Sequence, residues 1–445
     1  MKRLVLAILL ALTGLAASPA AQRVQGTFSR PAYSAIETVV LTKPERTVVY
    51  VLFDGFSPAE LKAAGRTPHF DEIKREGAWS SHLVPAFPSI SLINHTTAYT
   101  GCWPEHHGII SNIFVDPKRG RYGDGKGDAA DASWRTGCET MWEAAERQGV
   151  RAAAFNTLGR WSSKTGQRAT YVNPETPWKN HESDQGVLDR ALALLKDNGP
   201  NHPRLIALYF DIPDSVAHKF GVTGAETGEA VRRADAITGK LMAALKALPR
   251  WREGTLVIGT DHGMIDVGPM LNLGRILSEV DFHGEQATDG ASAFLYVDKK
   301  ADSVDRVEKA LKAYPDLFQV YAQGHYPAYA HLGNGPRAGD LLLVTHPPYW
   351  MAGPELYPAW ARWIGINWFW PRAFVPPTVT LKATHGYDPN IVQMHGVFFA
   401  WGAGVKPGEV KRLDQVDIHP TVLRLLGLQP GRPVDGHAVS AVAAP

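Results

Sequence analysis

The sequence has little cysteine, no excess of either charge and, beyond its first residues, no long hydrophobic run. Its 445 residues contain two cysteines, Cys102 and Cys138, which excludes a disulfide-rich scaffold. Lysine and arginine number 46 against 44 acidic residues, a net charge of +2, so composition indicates neither a nucleic-acid-binding surface nor an acidic tail. After Leu15 no apolar run approaches the ~18 residues of a membrane span, and no transmembrane segment is predicted there.

The first residues have the pattern of a bacterial export signal. Lys2-Arg3 is a charged start, Leu4–Leu15 an apolar core and Ser18-Pro19-Ala20 a small-residue cleavage site. This pattern predicts a signal peptide over residues 1–20, with a buried N-terminal helix as the alternative. We therefore expect a periplasmic or secreted protein. In such an oxidising compartment we predict a disulfide between the two cysteines, with two buried thiols as the alternative.

Segments of strand and helix type alternate along the chain. The apolar runs Thr47–Phe53, Leu205–Phe210 and Leu256–Gly259 predict buried strands, and Ala230–Leu248 carries the apolar face of an amphipathic helix. Such alternation favours a mostly parallel sheet with helices on both faces, which is a three-layer α/β/α sandwich. We expect residues 21–445 to form a single catalytic domain of this class.

Residues 266–380 interrupt the alternation, and we expect an irregular insertion there, in which Ala293–Val297 and Leu341–Val344 have the pattern of strands. Its stretch Tyr349–Phe374 is dense in proline and contains five of the 13 tryptophans. Long irregular insertions are often lids or binding loops, whereas a packed aromatic subcore is the alternative. The sequence leaves both interpretations open.

Acidic and histidine residues follow the predicted strands. Asp54 comes after the first strand, Asp214 and His218 after the strand Leu205–Phe210, and Asp261-His262 after the strand Leu256–Gly259. Sites in open parallel sheets form beyond the carboxyl ends of the strands, so we expect these segments to meet there. Together with His385, they offer three carboxylates and three imidazoles.

This set of side chains suits two metal ions. Zinc binds histidine nitrogen and carboxylate oxygen at about 2.0–2.2 Å, and two metals about 3.5–4 Å apart can stabilise the attacking and leaving oxygens of an in-line displacement. Ser91 offers a hydroxyl in the segment from Ala86 to His95. A helix that begins there directs backbone N–H groups towards an anion.

Six motifs follow in a fixed order: Asp54-Gly55, Pro88–His95, Gly101-x-x-Pro104-Glu105-x-His107-Gly108-Ile109-Ile110-x-Asn112, Pro213-Asp214-x-x-x-His218-x-x-Gly221, Asp261-His262-Gly263-Met264 and His385-Gly386-Tyr387-Asp388. Together they resemble the nucleotide pyrophosphatase/phosphodiesterases of the alkaline phosphatase superfamily. The segment Asp417–Leu428 is similar to that superfamily's closing segment, so the resemblance extends from about Val48 to Gly436. It implies an alkaline phosphatase-like fold and a metal-dependent phosphoric ester hydrolase.

The resemblance implies two zinc ions per chain and a role for each of eight residues. Asp214, His218 and His385 would hold the first zinc. Asp54, Asp261 and His262 would hold the second, which would also bind the nucleophile, Ser91. Asn112 would contact a non-bridging phosphoryl oxygen through its side-chain amide.

The sequence departs from the family pattern at three places. Ser91 stands where the family usually has threonine, Pro389 replaces a common asparagine, and Phe155–Gly159 differs from an aromatic-Pro-Gly stretch. Either hydroxyl can be activated by a metal, and alkaline phosphatases themselves use serine. The serine therefore leaves the reaction type intact, although it weakens assignment to a subgroup.

Each candidate also has a purely structural interpretation. Asp54 is alternatively a helix cap, Ser91 an N-cap, Asn112 a turn residue, and His218 an ordinary helical partner of Asp214. His95, His106 and His107 are interpreted as structural residues or as neighbours of the ligands. His346 and His395 lie close to motifs but receive no role.

The resemblance favours a phosphodiesterase or nucleotide pyrophosphatase with a covalent phosphoseryl intermediate. A phosphomonoesterase is the alternative, because enzymes for the more charged monoester usually add an arginine or lysine at the phosphoryl oxygens. Arg160 and Lys164 are candidates, or else solvated loop charges. A metal-dependent protein that binds phosphate ligands without turnover is a third hypothesis. The expected partner is a small-molecule phosphate diester, such as a nucleotide or a lipid head group.

Overall fold

The architecture is taken from a computed structural model, which describes residues 45–123, 128–159, 166–174, 182–351, 371–374 and 381–442. The predicted signal peptide, Arg160, Lys164 and most of the tryptophan-rich stretch lie outside these residues. Residues 44–445 belong to one compact unit. The predicted start of the catalytic domain at residue 21 stays a prediction.

The strands within these residues are β1 Glu45–Asp54, β2 Ala78–Val84, β3 Ile113–Asp116, β4 Gly120–Gly123, β5 Ala152–Phe155, β6 Tyr171–Val172, β7 Leu205–Pro213, β8 Arg252–Thr260, β9 Ile265–Asp266, β10 Met270–Leu271, β11 Gly284–Asp289, β12 Ser292–Val297, β13 Phe318–Ala322, β14 Leu341–Thr345, β15 Trp350–Met351, β16 Ala373–Phe374, β17 Ala383–Thr384, β18 Gly396–Gly402, β19 Gly408–Glu409 and β20 Leu413–Asp414. The α-helices are α1 Pro58–Ala64, α2 Pro68–Glu76, α3 Ser91–Thr100, α4 Pro104–His107, α5 Met141–Arg147, α6 Asp184–Lys196, α7 Asp214–Phe220, α8 Ala225–Lys246, α9 Leu273–Glu279, α10 Val304–Leu311 and α11 Ile418–Leu426.

The central sheet is mostly parallel. Its strand order is β19-β2-β18-β8-β1-β7-β5-β6, and β20 pairs with β2 as well. Strands β8, β1, β7, β5 and β6 run parallel to one another, whereas β18 is antiparallel to both of its neighbours. The long apolar runs form its middle, as expected for strands that are covered on both faces.

Alternate residues of the central strands face two separate cores. Tyr50 and Leu52 of β1 lie in a core with side chains of α3, α5 and α11. Val49 and Val51 point to the opposite face and pack with α1, α2, α6 and α8. Because both faces are buried under helices, the domain is the three-layer α/β/α sandwich that the sequence predicts.

Local signals start the helices where the sequence places them. Ser57 caps α1: its Oγ accepts a hydrogen bond from the Glu60 N–H at 3.4 Å, and the Glu60 carboxylate accepts one from the Ser57 N–H at 2.6 Å. Pro58 occupies the first turn, where its missing N–H costs no hydrogen bond.

The expectation of an irregular insertion around 266–380 is wrong for a large part of that segment. Residues 284–345 form a second, four-stranded antiparallel sheet in the order β11-β12-β14-β13. Leu295 and Leu343 of this sheet pack in a third core with Ile276 of α9 and Val307 of α10. Strands β12 and β14 coincide with the predicted strand-like runs, and β11 joins β12 through a two-residue turn. Trp350 is buried in β15; Trp360, Trp363, Trp368 and Trp370 lie outside the described residues.

Two features bear on the remaining expectations. A disulfide joins Cys102, just after α3, to Cys138. Within the described part of the chain, no helix is both long and apolar enough to cross a membrane.

Candidate active site

The carboxyl edge of the parallel sheet positions the candidate residues. Asp54 is the last residue of β1, Asp261 directly follows β8, and Asp214 directly follows β7 as the first residue of α7. Strand β1 pairs with both β7 and β8, so three carboxylates reach one edge from three adjacent strands. This is the arrangement that the sequence predicts from the positions of the strand ends.

Ser91 is the first residue of helix α3, and its hydroxyl faces the site. Its Oγ lies 3.3 Å from Nε2 of His262. The N-cap position belongs to Ile90, whose side chain makes no capping hydrogen bond. The interpretation of Ser91 as the N-cap is therefore wrong, because the serine lies one position inside the helix.

Asn112 lies against the same helix start. Its Oδ1 accepts a hydrogen bond from the backbone N–H of Leu92 at 2.8 Å. With the oxygen engaged in this way, the amide NH₂ group is available as a donor. The structure thus places a helix N-terminus, a hydroxyl and a side-chain amide together, which is a suitable set for an anion.

His262 lies between the two carboxylates of the second predicted cluster. Its Nε2 is 3.5 Å from Asp54 Oδ1 and 3.4 Å from Asp261 Oδ2. Tetrahedral coordination with metal–ligand distances of about 2.0–2.2 Å separates neighbouring ligand atoms by roughly 3.3–3.6 Å. Each of these two distances, and the 3.3 Å from Ser91 Oγ to the same nitrogen, is short enough for two ligands of one ion. Among the described residues, the groups of three that contain Asp54 and whose atoms all lie within 4.8 Å of one another are, however, Asp54 with Asp214 and His262, and Asp54 with His95 and Asp261.

The first predicted cluster is formed by α7 and the loop after β17. Asp214 Oδ2 is 3.2 Å from His218 Nε2, and Asp214 Oδ1 is 3.6 Å from His385 Nε2. The i,i+4 spacing of Asp214 and His218 places both on one face of α7. All three residues offer an atom within 4.8 Å of one another, as a metal site requires.

Backbone carbonyls orient the three imidazole rings. Nδ1 of His218 lies 2.7 Å from the Ala383 oxygen, Nδ1 of His385 lies 3.1 Å from the Ser89 oxygen, and Nδ1 of His262 lies 3.0 Å from the Gly263 oxygen. A carbonyl only accepts, so Nδ1 carries the proton in each ring. Each Nε2 therefore faces its cluster and offers a lone pair to a metal ion once it carries no proton, as in other metal-binding histidines.

The two clusters are neighbours. The rings of His262 and His385 stack with centroids 3.7 Å apart. Asp54, Asp214 and His262 also offer atoms within 4.8 Å of one another, so the carboxylates of both clusters lie close together. The two clusters are therefore parts of one site.

Burial and the charges of neighbouring side chains shift the pKa values of the residues in the two clusters. Burial and the neighbouring carboxylates of Asp261 and Asp214 raise the pKa of Asp54 well above its ordinary value. Although burial opposes both shifts, the carboxylate of Asp214 raises the pKa of His218 to about 9 in the metal-free protein, and the positive charge of that ring in turn lowers the pKa of Asp214 to about 2. Burial lowers the pKa of His385 well below its ordinary value. Buried negative charge at this density requires cations.

The residues fit the metals that the sequence predicts. Oδ1 of Asp54 and Oδ1 of Asp214 are buried and have no hydrogen-bond partner among the described residues. Buried carboxylate oxygens are normally hydrogen-bonded or coordinate a metal. The nitrogen and oxygen donors suit zinc, and the absence of cysteine from both clusters leaves only histidine and aspartate as ligands.

The other histidines have structural positions. His95 is fully buried and its Nε2 lies 2.9 Å from Asp261 Oδ2, which makes it a neighbour of a candidate ligand. His107 is buried between Thr97 and the Ile109 N–H, and the largely exposed His106 contacts Asp435. His395 pairs with His82.

Sequence reasoning missed Tyr209. This buried residue of β7 donates a hydrogen bond from its hydroxyl to Asp54 Oδ2 at 2.6 Å. It lies inside an apolar strand and carries no motif of its own. Leu208 and Phe210 face the other core. The alternation of Tyr209 with these two residues was the available signal that its side chain lies on the same face of the sheet as Asp54.

Comparison with known proteins identifies the relatives of this chain. Residues 48–388 match the family model described as type I phosphodiesterase / nucleotide pyrophosphatase. The chain is 26% identical to rat ectonucleotide pyrophosphatase/phosphodiesterase family member 7 over 418 residues, which cover 89% of this chain and 87% of that protein. It is 27% identical to an uncharacterized pyrophosphatase/phosphodiesterase of Schizosaccharomyces pombe over 413 residues, 88% of this chain and 79% of that protein.

Solved structures agree on the fold. Murine ectonucleotide pyrophosphatase / phosphodiesterase 5 superimposes with a TM-score of 0.74 at 22% identity, covering 88% of this chain and 97% of that one. The human counterpart gives the same TM-score at 23% identity and the same coverage.

Proposed function

The chain belongs to the type I phosphodiesterase / nucleotide pyrophosphatase family of phosphoric ester hydrolases, and within it we propose an exported two-zinc phosphodiesterase with Ser91 as its nucleophile. Membership rests on the match over residues 48–388. The observation that carries the finer proposal is the position of Ser91 Oγ, 3.3 Å from His262 Nε2 and at the start of α3.

The two clusters would each hold one zinc ion. Asp214, His218 and His385 are the ligands of the first, and Asp54, Asp261 and His262 those of the second, together with the Ser91 hydroxyl. When bound, the ions supply positive charge that favours ionisation of a hydroxyl and stabilises charge on phosphoryl oxygens.

The protein's own groups position the phosphodiester for in-line attack. Ser91 Oγ forms a bond to phosphorus while the bond to the leaving alcohol breaks, which gives a phosphoseryl intermediate. Water then cleaves that ester, which releases a phosphomonoester and restores the serine. The NH₂ group of Asn112 donates to a non-bridging oxygen, whose charge grows in the transition state.

Diesters are the favoured substrates because the rat, yeast and snake-venom relatives are named as phosphodiesterases or pyrophosphatases. A nucleotide or a lipid head group is the proposed substrate class.

The test is turnover of bis-p-nitrophenyl phosphate beside p-nitrophenyl phosphate by the zinc-loaded protein. We expect the parent to prefer the diester, and we expect Ser91→Ala to lower diester turnover by at least ~10³-fold. Ser133→Ala is the matched control, because its hydroxyl contacts only Asp131 at the surface. Metal analysis should give two zinc ions for the parent and for both variants.

Two other outcomes decide between the alternatives. A monoester preference would make the protein a phosphatase, with Arg160 and Lys164 as the next residues to substitute. Binding of two zinc ions without turnover of either ester would support a non-catalytic binding protein.

A further inference from the structure

The hydroxyl of Tyr209 lies directly behind the second cluster. It is 2.6 Å from Asp54 Oδ2 and 3.4 Å from Asp211 Oδ1, and the side chain is fully buried. A phenol is protonated at neutral pH, and a separation of about 2.5–2.7 Å is typical of an O–H donor on a carboxylate. The Tyr209 proton therefore belongs to the hydrogen bond with Asp54.

Strand register places the tyrosine there. In the parallel pairing of β1 and β7, Leu52 lies opposite Tyr209 and Phe53 opposite Phe210, and the register then shifts so that Asp54 pairs with Pro213. Leu52 and Tyr209 face the same core. Because side chains alternate along a strand, Asp54 projects to the face of Leu52 and meets the hydroxyl of Tyr209.

The hydrogen bond distinguishes the two oxygens of Asp54. Oδ2 accepts a hydrogen bond from Tyr209, whereas Oδ1 is buried, has no hydrogen-bond partner in the part of the chain that the structure describes, and lies 3.5 Å from His262 Nε2. The carboxylate is thus held with one oxygen turned towards the second cluster.

Asp261 is held in a similar way. Its Oδ1 accepts hydrogen bonds from the N–H groups of Gly55 at 3.0 Å and His262 at 2.9 Å, and His95 contacts its Oδ2. The rings of His95 and Tyr209 are in contact, with centroids 4.8 Å apart. Two buried side chains in contact with each other therefore support both carboxylates of the second cluster.

We propose that Tyr209 is a positioning residue that orients Asp54 for the second metal and has no comparable effect on the first. The inference rests on the proposed function only for the existence of two metal sites. Groups that support a metal ligand typically contribute about 10–100-fold to metal affinity. Asp54 belongs only to the second ligand set, so the effect of Tyr209 should be confined to one of two adjacent sites.

The experiment measures zinc affinity by competition with a chromophoric chelator, site by site. The double substitution His218→Ala with His385→Ala leaves the second site, and His262→Ala leaves the first. In the His218→Ala/His385→Ala background, where only the second site remains, Tyr209→Phe should raise the zinc Kd about 10–100-fold. In the His262→Ala background, where only the first site remains, it should change the zinc Kd by less than about 3-fold.

Tyr326→Phe is the matched control, because this tyrosine donates to the Ala338 carbonyl at 2.7 Å, outside the two clusters. It should leave both affinities unchanged. Equal weakening of both sites by Tyr209→Phe, or no weakening of the second, would overturn the proposal. Circular dichroism checks folding. If a background variant does not fold, the two zinc-binding steps of the otherwise native protein are compared with and without Tyr209→Phe, and only one step should weaken.

The result is independent of catalysis. A protein that binds two zinc ions and cleaves no diester would contradict the proposed function, while the site-selective change in affinity would still test Tyr209.

Discussion

The side-chain oxygen of Asn112 lies 2.8 Å from the backbone nitrogen of Leu92, so a residue twenty positions away completes the first turn of the helix that begins at Ser91. The first N–H groups of a helix have no partner within the helix. Here the amide of Asn112 satisfies one of them. The same contact turns its NH₂ group away from Leu92, so one side chain both supports the helix start and offers a donor.

The two roles of Asn112 can be separated by substitution. Asn112→Ala removes acceptor and donor, and should lower kcat/KM for a diester by about 10²–10³-fold and the free energy of unfolding by about 1–3 kcal/mol. Asn112→Asp keeps an acceptor for the Leu92 N–H, and a carboxylate at a helix N-terminus is favourable. It should retain most of the stability but lose activity as fully as the alanine variant.

Steady-state kinetics and chemical denaturation of the zinc-loaded variants measure the two effects. Diesterase activity of Asn112→Asp close to that of the parent would contradict the role of the amide as a donor. Equal stability of Asn112→Ala and the parent would contradict its role at the helix start.

Much of the site could be predicted because strand ends reveal it. Asp54 and Asp261 follow apolar runs that are recognisable in isolation, and parallel strands bring their ends together. Tyr209 and the contact of Asn112 with Leu92 could not be predicted in this way, because they depend on register and on contacts between distant segments. Within residues 284–345, the apolar runs Ala293–Val297 and Leu341–Val344 predict β12 and β14, whereas the two other strands of that sheet, β11 and β13, were not predicted.

Removal of the metals should destabilise the protein. Asp54, Asp214 and Asp261 are buried side by side, and no lysine or arginine among the described residues forms an ion pair with them. Zinc at about 1,000 times its Kd stabilises the folded state by about 4 kcal/mol per site. We therefore expect the melting temperature to fall by several degrees in EDTA and to recover with zinc.

Two comparisons sharpen this measurement. Calcium prefers six to eight oxygen ligands, so it should restore less of the melting temperature than zinc does. Asp54→Asn removes a carboxylate whose pKa is raised by burial and by its acidic neighbours. Without zinc, the melting temperature of Asp54→Asn should be no lower than that of the parent. On addition of zinc, the melting temperature of the variant should rise by less than that of the parent. Identical melting in EDTA and in zinc would contradict both metal sites.

Acid should destabilise the fold through His107. Burial, and secondarily the nearby charge of Arg135, lower the pKa of His107 to about 3. An unfolded histidine has a pKa of about 6.5, so the folded state favours the neutral ring. This contribution is fully present above about pH 6.5 and is lost as the pH falls towards 3, at about 1.4 kcal/mol per pH unit.

His107→Gln should flatten this dependence, as measured by denaturant unfolding between pH 7 and pH 5. The adjacent His106 is the control, because its hydrogen bond with Asp435 raises the pKa of its largely exposed ring. Its contribution is present at low pH and lost as the pH rises, so His106→Gln should not flatten the acid dependence. A parent and a His107→Gln variant with equal slopes would show that His107 is not the responsible group.

Gly55 should be required for the first metal site. It has φ +58°, and a Cβ at this position would lie 2.6 Å from Asp214 Oδ1 and 2.7 Å from Asp214 Cβ. Gly55→Ala must therefore displace a candidate ligand, and we expect weaker zinc binding at the first site and at least ~10²-fold lower diesterase activity.

Gly427→Ala is the matched control, because Gly427 is also left-handed, at φ +74°, with nothing within 4 Å of the position that a Cβ would occupy. Both variants should lose about 1–2 kcal/mol of stability from the left-handed backbone. Only Gly55→Ala should lose zinc, and equal zinc affinity in the two variants would contradict the close approach of Gly55 to Asp214.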